Sequence, residues 1–145
     1  MAGNAAPIYS AQGELAVNGV TTMPIIITSA VGGDYQGTSA GNSLVFTADA
    51  TNGSYVQRVR GKAAGTNVAS VVRLFLNNGA TNGTSGNNCF FGEFSLPATT
   101  AINTAAAVEV DYPLNFALPP GFRIYAGLGT AVAGGWQFTV IGGNY

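Results

Sequence analysis

Short apolar–polar alternations, each closed off by a turn signal, run from one end of this chain to the other. No segment keeps the 3.6-residue period of a long helix. Ten runs read as strands: Glu14–Asn18, Thr22–Thr28, Ser43–Thr47, Ser54–Arg60, Asn67–Leu76, Cys89–Leu96, Ala107–Tyr112, Leu114–Leu118, Phe122–Leu128 and Trp136–Ile141. Between them stand Gly-Gly, Pro-Pro-Gly and four Asn-Gly pairs, at Asn18, Asn52, Asn78 and Asn82. Asn-Gly accepts the left-handed backbone of tight turns and is ordinary hairpin punctuation. Short strands at this spacing in 145 residues predict an all-β, single-domain, jelly-roll-like β-sandwich spanning residues 1–145. Residues 1–12 read as an extended N-terminal arm.

The clearest expected hairpin is Ser54–Leu76, turning at Gly61–Thr66. Pairing Arg60 with Asn67 puts Tyr55, Gln57, Val59, Val68, Ser70, Val72, Leu74 and Leu76 on one face. Val56, Arg58, Arg60, Val71, Arg73 and Phe75 fall on the other. The first face is the expected core, because the second would bury several guanidiniums. Val72, Leu74, Leu76, Phe138 and Val140 are expected to be buried. Asn77–Asn88 (NNGATNGTSGNN) reads as a long polar loop, the most exposed and mobile stretch, and Ala98–Ala107 as a loop crossing between sheets.

The chain is poor in chemical hardware. It has no histidine, five basic and six acidic residues, and one cysteine. Charged residues make up 8 %, against roughly 25 % in an ordinary soluble domain. General acid–base work at neutral pH usually relies on His, and metal sites on clustered His, Cys, Asp or Glu. Neither an enzyme nor a metal or organic cofactor is expected. Glu109 and Asp111, at i and i+2 on one strand, are the only close carboxylate pair. They read either as a glycosidase-like pair or as the solvated face of a strand. Cys89 has no partner for an intrachain disulfide. The net charge of −1 gives no field that draws nucleic acid or anionic lipid. It also leaves little repulsion between copies. Met1–Pro7 has neither a basic n-region nor an apolar h-region, and no run reaches the roughly 18 apolar residues of a membrane span.

Arg58, Arg60 and Lys62 share a strand face at i, i+2 and i+4, and Arg73 joins them if the hairpin pairs as expected. With Phe75 they form the candidate interface: Arg58, Arg60, Arg73 and Phe75. Two readings stand, a docking face for carboxylates of another chain and a solvated outer face. Tyr35, Tyr55 and Trp136 are candidate platforms for stacking sugars.

The C-terminal third has the most specific pattern, in Leu114–Tyr125 (LNFALPPGFRIY) and Gly134–Tyr145 (GGWQFTVIGGNY). Here the chain resembles small virion proteins of tailed bacteriophages, particularly the head decoration or cement class, over Arg73–Gly79 (RLFLNNG), Leu118–Gly127 (LPPGFRIYAG) and the terminal Trp strand. The resemblance implies a structural protein that binds and stabilises the phage head shell. Its partners would be the major capsid protein and copies of itself, with a trimer favoured, and no nucleic acid or membrane. It implies a place on the capsid surface of the virion after synthesis in the host cytoplasm. A phage tail or fibre subunit is the alternative within that class. A carbohydrate-binding jelly-roll module is the alternative outside it.

Overall fold

The computed structural model describes residues 12–16, 26–30 and 34–145. Nine strands make two antiparallel sheets: β1 (Gln12–Ala16), β2 (Ile26–Ile27), β3 (Ser43–Thr47), β4 (Ser54–Ala63), β5 (Ser70–Asn77), β6 (Asn88–Leu96), β7 (Glu109–Leu118), β8 (Arg123–Leu128) and β9 (Trp136–Asn144). One sheet has the order β1-β9-β4-β7, with β2 also on β9, and the other β3-β8-β5-β6. The pairs are nested: β1 with β9, β3 with β8, β4 with β7 and β5 with β6. A long hairpin of four such pairs, rolled into two sheets, is the jelly roll. The expected all-β sandwich is therefore present. Of the expected N-terminal arm, residues 1–11 lie outside the described residues, and Gln12 already belongs to β1. Of the expected strand Thr22–Thr28, only Ile26–Thr28 are described.

The expected hairpin of β4 with β5 does not form. β4 pairs with β7 and β9, whereas β5 pairs with β6 and β8 in the opposite sheet. Residues 64–69 carry the chain from one sheet to the other. Both runs have an apolar face, and each is buried by packing across the sandwich rather than by lying beside its sequence neighbour. The two faces also departed from strict alternation. A bulge at Gln57 brings both Val56 and Val59 into the core, while Gln57 is exposed. Val68, expected in the core, is exposed, and Leu76 is half-buried.

Val72, Leu74, Phe138 and Val140 are buried as the pattern indicated. They join Val45, Phe46, Ile124, Leu128 and Trp136 in one cluster between the sheets. The side where β6 and β7 form the sheet edges is closed by aromatic contacts. Phe94 stacks on Tyr112 with centroids 5.1 Å apart, and Phe91 meets Phe116 at 5.0 Å. The expected strands Ala107–Tyr112 and Leu114–Leu118 are one strand, β7, running through Pro113. Because β7 is an edge strand, Pro113 can keep its missing N–H on the unpaired side.

Three Asn-Gly pairs lie among the described residues, and each glycine is left-handed: φ is 79° at Gly53, 90° at Gly79 and 86° at Gly83. The long loop after β5 is not the loose stretch its composition suggests, because asparagine side chains staple it. Asn77 Nδ2 donates to Asn88 Oδ1 (2.9 Å), Asn88 Nδ2 to the Gly37 carbonyl (2.9 Å), and Asn87 Nδ2 to the Thr81 carbonyl (3.1 Å). Many of its residues are still exposed, but the Asn78, Gly79, Ala80 and Asn87 N–H groups have partners.

Leu74 is fully buried at the centre of β5. Leu74→Ala is expected to lower unfolding stability by roughly 2–5 kcal/mol, read from urea denaturation. A much smaller loss would mean that the site collapses around the cavity.

Candidate functional site

The outer face of the β4–β7 sheet carries five of the eleven charged residues. β4 presents Arg58, Arg60 and Lys62, and β7 presents Glu109 and Asp111 directly beside them, with Arg60 opposite Asp111 and Lys62 opposite Glu109. The contacts run diagonally. Arg60 donates to Glu109, and Arg58 Nε lies 3.8 Å from Asp111 Oδ1. This face is thus a ladder of internal ion pairs, partly exposed, each worth little in stability. Arg60 foremost holds the Glu109 carboxyl below its ordinary range. The two carboxylates thus stand as counter-ions beside Arg58 and Arg60.

Arg73 and Phe75 do not join this face, which corrects the expected four-residue patch. β5 is in the other sheet, and both residues lie on its outer side. Arg73 donates to Glu93 (3.1 Å), and its guanidinium lies 4.4 Å from the centroid of the Tyr35 ring. Phe75 is fully buried beside Phe90 and Gly37, beneath residues 35–37 of its own chain. Of the four candidates, then, Arg58 and Arg60 share a surface, Arg73 is on the opposite one, and Phe75 is covered.

The aromatic platforms separate too. Trp136 is fully buried and unavailable for stacking, and Tyr55 is half-buried. Tyr35 is 55 % exposed, with Phe90 against its edge and Arg73 over its ring. Cys89 is exposed on β6. Among the described residues, no three His, Cys, Asp or Glu side chains gather where a metal could bind.

The most elaborately built feature is one end of the sandwich, where three loops meet: residues 64–69, 97–108 and 129–135. Asn67, 5 % exposed, sits at their junction. Its Nδ2 donates to the carbonyls of Gly65 and Gly135 and to Thr99 Oγ1, each at 3.1 Å. Its Oδ1 accepts from the N–H groups of Gly134 (2.9 Å) and Gly135 (2.8 Å). Its backbone forms a bridge with Thr99, 3.0 and 2.9 Å in the two directions. Gly65 and Gly134 pass so close that a Cβ on either would meet the other's backbone. Thr99, Thr66 and Ser70 tie the remaining loop backbone through Gly65, Ala101 and Thr130.

None of these three loops has a charged residue, and nine of their 25 residues are alanine. They expose Val68 (58 %), Ile102 (53 %) and Val108 (37 %), and Ile26 (48 %) lies beside them against Gly135. A groove of about 200 Å³ opens between Ala63–Gly65 and Thr99–Val108. The opposite end is different in kind: its turns carry Asp49, Asn52, Asn78, Asn82 and Asn87. The sequence reading missed this polarity because it searched for charged and titratable groups. The signal was their absence from residues 63–72 and 94–108.

Two outcomes are expected. Asn67→Leu leaves the Gly135 N–H buried without its acceptor and Gly134 with only the Thr66 carbonyl, and should lower stability by about 2–4 kcal/mol in urea denaturation. Thr99→Val, which removes one donor and acceptor at the rim, should have a smaller effect. The second concerns acid. Asp34 is held below its ordinary range foremost by the Thr38 hydroxyl, Asp49 by the Asn52 and Thr51 N–H groups, and Glu109 by Arg60. A depressed folded-state carboxylate stabilises the fold above its unfolded pKa, and that share is lost as pH falls through the folded value. The thermal midpoint should hold from neutrality to about pH 4.5 and then drop, with a shallower drop in Asp49→Asn.

Compared with known proteins, the chain matches no protein-family model, no curated protein and no solved structure.

Proposed function

We propose that this chain is a structural virion protein of the capsid-decoration class, which binds an assembled phage head shell and stabilises it as a small cyclic homo-oligomer. The observation that carries the reading is the jelly roll itself, a fold used in viral capsid and lectin domains. The distribution of polar groups supports it. Arg58, Arg60 and Arg73 are matched to Asp111, Glu109 and Glu93, and Asp34 and Asp49 hold turns. Such a surface suits contact rather than turnover. The segments that resemble decoration proteins form the core of the sandwich: β5, β8 and β9 contribute Leu74, Ile124, Trp136 and Phe138. The mechanism is mass action. Copies that bind only the mature lattice add their binding free energy to that state.

A tail or fibre subunit would use the same fold and the same surface. A lectin-like module is less well supported, because burial of Trp136 removes the largest of its stacking platforms.

Mass spectrometry of purified virions should find the chain in constant ratio to the major capsid protein. Particles lacking it should rupture at lower temperature and recover when purified protein is added. Its absence from purified particles would sink the proposal, and a fixed ratio to tail proteins instead would assign it to the tail.

A further inference from the structure

We infer that the uncharged end of the sandwich, built by residues 64–69, 97–108 and 129–135, is the surface through which the chain associates with copies of itself. The inference rests on the homo-oligomer part of the proposed function and names its contact. Exposed valine and isoleucine are unremarkable when scattered. Here four of the six large apolar side chains exposed among the described residues, Ile26, Val68, Ile102 and Val108, gather at one end. The loops bearing three of them are held by the Asn67 junction, so little ordering entropy remains to be lost on contact.

A second copy is the occupant that fits. Two such ends can meet without desolvating a charge or opposing like charges, because their loops have none and the whole chain carries only −1. The end also holds both halves of a contact. Val68 projects from one loop, and the groove of about 200 Å³ beside it is walled by Ala63, Gly65, Thr99, Ile102 and Ala106. With knob and hole on the same end, each copy can seat its knob in the other's hole, or pass the contact to the next copy around a small ring. Main-chain pairing through β6 or β7 is a poorer route. β7 is interrupted by Pro113 and by Asn115 at φ 55°, and β6 bulges at Phe91.

The test is the oligomeric state of the purified full chain, by sedimentation velocity and light scattering across about 1–100 μM, the range where moderate self-association is resolved. The wild-type chain should assemble. Val68→Asp and Ile102→Asp, each at an exposed loop position, should keep the circular dichroism spectrum and weaken assembly by roughly tenfold or more. Ala80→Asp, at the asparagine-rich end, should assemble like wild type. A monomeric wild-type chain, or folded Val68→Asp and Ile102→Asp proteins that assemble undiminished, would overturn the inference. Should an aspartate variant misfold, Ile102→Ser and Val68→Ser serve in its place with the same reading. Shell binding is scored separately. A monomer that still binds shells removes this inference and leaves the virion reading standing. An oligomer that dissolves in Ile102→Asp yet never binds shells does the reverse.

Discussion

Three loops at one end of this molecule are joined by a single buried amide. Asn67 donates to two carbonyls and a hydroxyl, and its Oδ1 accepts from two successive backbone N–H groups. Each of the loops it joins crosses from one sheet to the other, and they lie far apart in sequence. A buried polar group of this kind is unfavourable unless satisfied, and once satisfied it specifies one arrangement over many. Short, alanine-rich connections have little apolar volume to pack. The amide supplies the definition that side-chain packing cannot, and the close pass of Gly65 against Gly134 is its geometric consequence.

The far end solves the same problem with several asparagines, used one by one. Asn77, Asn78, Asn87 and Asn88 close the long loop after β5 onto itself and, through Gly37, onto the segment that covers Phe75. One end is thus uncharged and rich in alanine, and the other polar and turn-rich. The sheet faces between them carry Arg58, Arg60 and Arg73 already matched to carboxylates. A sandwich with neutralised sides and unlike ends has a direction. That polarity is the most distinctive feature of its described surface.

The edges are managed in the same spirit. β6 and β7 end their sheets on the same side, and their inward aromatics meet across the gap. Pro113, the left-handed Asn115 and the bulge at Phe91 break the regular edge that would otherwise invite another strand. Association is thereby steered away from backbone pairing and toward side-chain contact.

Much of this was legible in the chain itself. Period-two runs and turn dipeptides were enough to place most strands, and the alternation within Asn67–Leu76 and Trp136–Ile141 marked Val72, Leu74, Phe138 and Val140 as interior, because alternation is a local property of extended backbone. The Asn-Gly pairs marked left-handed turns for an equally local reason. Which strands pair is not local. β4 and β5 looked like a hairpin, but their partners are β7 and β9, and β6 and β8, a choice decided by burying two apolar faces against each other. The same choice took Arg73 away from Arg58 and Arg60 and hid Phe75. Bulges at Gln57 and Phe91, whose offsets exist only relative to a partner strand, redirected side chains that strict alternation had placed. Charge scarcity could be read from composition, but its concentration into one bare end required the loops to converge. That convergence was decided by tertiary structure, because Asn67, Thr99 and Gly135 meet only when both sheets are in place.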